Sequence, residues 1–132
     1  MGALASLMLA AVFWSAAPAA GVSGFDPSTC VKGVDLARVR GADSALLWQW
    51  YRHFQLCTRD SEGIRVTLAE LVRRGDGDAE VEYAVAVPCP TLEEQARARA
   101  LLESARRKGA ARAGAWIAST RENGLNCRPS VN

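Results

Sequence analysis

Apolar residues recur along this chain in distinct rhythms, and each rhythm predicts a different element. Leu46, Leu47, Trp50, Tyr51, Phe54 and Cys57 fall at intervals of three and four, which places them on one face of a helix. Asp43 or Ser44 can accept a hydrogen bond from a free N–H of the first turn, so this helix starts there and ends near Thr58. It is the most strongly patterned segment and is expected to form the centre of the core. Trp48 stands off that stripe, with Arg52 and Gln55 on another face. Arg52, four residues on, is within reach of the indole. An exposed Trp beside an Arg suits a partner contact, whereas a Trp closing a second wall of the core is the plainer reading.

From Gly63 to Val87 the period changes to two. Ile64, Val66, Leu68 and Val72 alternate with Arg65, Thr67 and Arg73, then Gly75-Asp76-Gly77-Asp78 intervenes. Beyond it, Val81, Tyr83, Val85 and Val87 alternate with Glu80, Glu82, Ala84 and Ala86. Two alternating runs around a Gly/Asp cluster predict a β-hairpin, with Glu80 and Glu82 on its solvent face. The Asp-Gly-Asp sequence lacks the downstream spacing of an EF-hand and reads as a turn.

Pro88-Cys89-Pro90 ends that run, and Thr91 with Glu94 predicts a capped helix from Leu92. Its apolar stripe continues through Ala98, Leu101, Leu102, Ala105, Gly109, Ala113 and Trp116, and Asn123-Gly124 is a natural terminator. The predicted fold class is therefore α+β: a core helix, an antiparallel hairpin and a long basic C-terminal helix.

The start of the chain bears on compartment. Its first 20 residues carry no charged side chain, and an apolar run from Ala3 to Trp14 leads to Ala17-Pro18-Ala19. That pattern predicts a signal peptide over residues 1–19, cleaved near Ala19. The run breaks at Ser15 and Pro18, short of the roughly 20 apolar residues a spanning helix needs, so no stable membrane span is expected after cleavage. Residues 20–42, punctuated by glycines and Pro27, are expected to be irregular, and residues 43–132 to form one small domain. The expected location is secreted or periplasmic.

In such a compartment four cysteines, Cys30, Cys57, Cys89 and Cys127, suggest two structural disulfides. No C-x-x-C pair is present, which argues against a thioredoxin-type or zinc-finger site. A straight helix from Leu92 to Ser119 would hold Cys89 and Cys127 apart, while a hairpin would return Cys89 towards Cys57. The expected pairs are thus Cys57–Cys89 and Cys30–Cys127. A break at Gly109 or Gly114 would instead permit Cys30–Cys57 with Cys89–Cys127.

Net charge is only +2, but it is segregated. Residues 60–94 hold nine acidic and three basic side chains, and residues 97–128 hold eight basic and two acidic. Mutual neutralisation inside one domain accounts for this better than nucleic-acid or membrane binding, since the overall basic excess is small.

His53 is the only histidine, which excludes centres built on several imidazoles and leaves one weak candidate for a general base. G-x-S-x-G, H-E-x-x-H, P-loop and G-x-G-x-x-G motifs are absent. No metal or cofactor is expected. The favoured expectation is a small exported non-catalytic protein that binds or inhibits another protein, through Trp48 and Arg52, with Arg99 and Arg106 as a second patch. The alternative is a small secreted hydrolase, acting on phosphodiesters, that uses His53.

Overall fold

The computed structural model describes residues 27–124, and among them every regular element is helical, with no strand. The order is a strap with 3-10 turns at Pro27–Thr29 and Leu36–Gly41, then α1 (Ser44–His53), α2 (Ser61–Arg73), α3 (Gly77–Ala86), α4 (Leu92–Arg107) and α5 (Ala113–Asn123). Four helices begin on a side chain of the type that stops backbone donors being orphaned. Asp43 accepts from Leu46 N–H, Asp60 from Glu62 and Gly63, Asp76 from Ala79, and Thr91 from Glu94. The predicted signal segment, residues 1–19, lies outside the described residues, as do residues 20–26 and Cys127.

The core helix is found where the three-four spacing placed it. Leu47, Trp50, Tyr51 and Phe54 are buried together with Leu68 and Leu71 of α2, Val39 of the strap and Ala79 of α3. After His53 the helix widens into a π-helical turn over Phe54–Thr58, closed by Arg59 at φ +50°. The N–H of Asp60 donates to the Phe54 carbonyl across that turn (3.0 Å), and α2 then sets off in a new direction.

The predicted hairpin is not present; both alternating runs are helices. At 13 residues α2 is longer than strands usually are, whereas the 10 residues of α3 are not decisive by length. The two-residue alternation has a separate cause in α3, which is buried on two opposite sides. Val81 and Val85 face a second cluster with α4 and α5, whereas Tyr83 and Val87 pack on the first. Residues four apart share a helix face and residues two apart lie on opposing sides. A helix sandwiched in this way shows an apolar period of two, as a strand does. In α2, Ile64, Leu68 and Val72 are one stripe at four-residue spacing.

The basic C-terminal helix is also divided. α4 stops at Arg107, Gly109 takes φ +82°, and α5 begins at Ala113. Ala98, Leu102, Ala105 and Ala113 still share one buried cluster, so α5 folds back along α4, and Gly124 terminates it at φ +73°.

With the helix broken and the hairpin absent, the predicted disulfides Cys57–Cys89 and Cys30–Cys127 are corrected. Cys30 pairs with Cys57, their Cα atoms 5.7 Å apart. Cys89 is buried in the second cluster and is itself disulfide-bonded. The strap is also tied by Arg74, the residue that caps the end of α2, whose guanidinium donates to the Val39 and Arg40 carbonyls and to Ser44 Oγ.

Candidate binding cleft

The outward face of α1 is set by its inward one. Burying Leu47, Trp50, Tyr51 and Phe54 leaves Ala45, Gln49 and Arg52 exposed at the same helical spacing, with Trp48 half-buried, packed against the first cluster and also lining this side. These four form one wall of an open cleft of about 690 Å³; Asp78, Val81 and Glu82 of α3 form another, and Ala111 and Arg112 close the end.

Trp48 is part of the frame of this cleft. Its indole N–H donates to Asp76 Oδ2 (3.0 Å), while Asp76 Oδ1 caps α3 (3.1 Å). Its ring meets Tyr51 edge-on at 5.6 Å. The Gly/Asp cluster that resembled a hairpin turn thus starts a helix and anchors an indole. Arg52 does not lie over Trp48; the cation–π contact among the described residues is Arg97 over Tyr83, at 5.1 Å. Arg52 is exposed and makes no hydrogen bond or ion pair among the described residues, so its guanidinium stands open at the rim.

The floor carries a linked set of charges. Tyr51 Oη donates to Glu82 Oε2 (2.9 Å), and Arg112 donates to Glu82 Oε1. Burial of Tyr51, reinforced by the Glu82 carboxylate, pushes the phenol above its ordinary value. Next to it, buried Glu80 takes the ammonium of Lys108. Two of the segregated charges thus pair across the domain, between α3 and the α4–α5 loop. Glu80 and Glu82 are therefore not a pair on one face; each serves a different cation.

His53 lies outside the cleft. Its Nδ1 accepts the Val31 backbone N–H (3.2 Å), and its ring is edge-on to Phe54 at 5.7 Å. With Nδ1 an acceptor, the neutral ring carries its proton on Nε2, so no free basic nitrogen faces solvent in that state. Among the described residues no carboxylate pairs with it, and no group of His, Cys, Asp or Glu is arranged to hold a metal.

The two other predicted contact residues separate. Arg106 is taken up by Glu103, three residues earlier (3.0 Å), whereas Arg99 lines a groove between α4 and α5. Gln49, Asp78 and Arg112 were not singled out by the sequence pattern. Gln49 had a signal, since it shares Arg52's face three residues earlier; Asp78 and Arg112 are brought in by tertiary structure alone. No described helix is long and apolar enough to cross a membrane. The chain matches no protein-family model, no curated protein and no solved structure, and its site is defined by its own geometry.

Proposed function

We propose that this chain is an exported, disulfide-tied helical protein that binds another protein outside the cytoplasm, using the cleft between α1 and α3. The observation that carries this reading is Arg52: an exposed guanidinium with no ion pair among the described residues, on the rim of a cleft walled by an indole and Val81. Arginine beside a desolvated aromatic wall is a common binding hot spot. The fixed Trp48 ring presents apolar surface already ordered by Asp76 and Tyr51, so little rotamer freedom is lost on contact. Arg52 calls for a carboxylate or carbonyl on the partner, and Gln49 and Asp78 offer further polar contacts beside it. The Cys30–Cys57 bridge supports an oxidising compartment.

The test compares wild-type protein and Arg52→Glu, each immobilised with its disulfides intact and exposed to the extracellular fraction of the producing cells. The expected result is a protein retained by the wild type and lost with Arg52→Glu, at unchanged melting temperature. Its affinity should fall by about 30-fold or more, as for a hot-spot arginine. Equal retention by both proteins, or no specifically retained protein, overturns the reading.

A further inference from the structure

The fold disposes of its C-terminal basic charge unevenly, and the remainder is concentrated in a place separate from the Arg52 cleft. Lys108 and Arg112 pair with Glu80 and Glu82, Arg106 pairs with Glu103, and Arg97 lies over Tyr83. Among the described residues Arg99, Arg107 and Arg121 are left, each exposed and without a hydrogen bond or ion pair to another described residue. Two of these three, Arg99 on α4 and Arg121 on α5, line the same groove of about 330 Å³. Its apolar lining is Leu102, fully buried, and Ile117, half-buried.

We propose that this α4–α5 groove docks an acidic segment of a partner protein. The carboxylates would be taken by Arg99 and Arg121, with an apolar side chain of the same segment over Leu102 and Ile117. Two like charges on facing helices repel each other until an anion lies between them. A planar guanidinium fork matches a carboxylate in two parallel hydrogen bonds.

The lining favours a protein over other polyanions. Among the described residues no aromatic ring lines the groove to stack a nucleobase, as single-stranded nucleic-acid sites commonly use. Leu102 and Ile117 are recessed, and Gly114, Ala115, Ala118 and Ser119 on the exposed part of α5 are small. Such a face lacks the large protruding apolar residues with which interfacial helices enter a bilayer.

The experiment uses the disulfide-intact protein and a fluorescein-labelled Glu-Glu-Leu-Glu-Glu peptide, read by anisotropy at low and moderate salt. Binding is expected to saturate and to weaken about tenfold with either Arg99→Glu or Arg121→Glu, the size of a lost charge-assisted contact. Arg107→Glu changes net charge equally outside the groove and should alter affinity by less than about twofold. Arg99→Ala, read beside the circular dichroism of each variant, separates loss of the contact from loss of the helix. The proposal is overturned if the peptide does not saturate or if Arg107→Glu weakens it as much as Arg99→Glu. It is equally overturned if phosphatidylglycerol vesicles or oligo-dT bind more tightly than the peptide with the same dependence on Arg99 and Arg121. Arg52→Glu, in the other cleft, should alter peptide affinity by no more than Arg107→Glu does; a larger loss would place the peptide in the α1–α3 cleft and overturn this proposal, so the two failures are distinguishable.

Discussion

Gly63, in the first turn of α2, lies directly against a single ring. A Cβ built at Gly63 would sit 2.4, 2.5 and 2.7 Å from three atoms of the Phe54 side chain. Phe54 is itself buried at the end of the core helix and cannot swing out without exposing apolar surface. Glycine's usual helix penalty is here offset by a contact that no other residue permits. Gly63→Ala is expected to lower stability by about 2 kcal/mol through overpacking, more than the roughly 1 kcal/mol that alanine gains in helix propensity. Urea denaturation checks this, with Phe54→Leu as partner in a double-mutant cycle. If Gly63→Ala is as stable as the wild type, or Phe54→Leu does not relieve it, the close approach is not what selects glycine.

Among the elements, α2 holds the strap through one carboxylate. Buried Glu70 accepts from Arg73 (2.9 and 2.6 Å) and from Arg74 (3.2 Å), and Arg74 in turn grips the strap carbonyls. The hydrogen bond from Arg73, helped by Arg74 against the opposing effect of burial, draws Glu70 down to about 2 from an ordinary value of 4.5. A carboxylate lowered on folding stabilises the fold fully above its unfolded value, and that stability is lost as pH falls through the folded one. Melting temperature should therefore decline between about pH 4.5 and 2, and Glu70→Gln should flatten that decline; equal slopes in the two proteins would refute it. Element types were legible in the sequence where burial is one-sided. The Leu47–Trp50–Tyr51–Phe54 stripe, the Thr91 cap and the Gly124 stop all stand as read. They were illegible where burial is two-sided, because Val81 and Val85 face one cluster while Tyr83 and Val87 face the other. Asp60, opening a run with Glu, Leu and Arg, and Asp76, opening one with Ala and Glu, were the helix signals that the alternation masked. For the cleft, the off-stripe position of Trp48 and Arg52 was readable from α1 alone. Asp78 and Arg112 were not, because their neighbourhood with α1 depends on how α3 and the α4–α5 loop pack.

Over the whole described chain, two apolar clusters meet on either side of α3, and the covalent ties reinforce packing that small domains find hard to supply alone. The strap belongs to the first cluster: Val39 is buried there, with Val31, Val34 and Leu36 against it. It is short of regular hydrogen bonds, so Cys30–Cys57, the Val31–His53 bond and the Arg74 clasp do the work that a helix would do for itself. The bridge closes a loop of sequence separation 27, for which the chain-entropy model gives about 3.5 kcal/mol. Removing it as Cys30→Ser with Cys57→Ser should lower the melting temperature by roughly 15–25 °C, at about 4–8 °C per kcal/mol for a domain of this size. The loss should also be spatially graded. Amide exchange should accelerate first across residues 31–42 and the Phe54–Thr58 turn, which the bridge joins directly. Amides of α4 and α5, whose buried residues belong to the second cluster, should be the last to lose protection. Uniform acceleration through α5 would mean instead that the two clusters unfold as one unit, with α3 transmitting the strap's release across the molecule. An unchanged melting temperature would mean that Val39 and the Arg74 clasp hold the strap without the bridge.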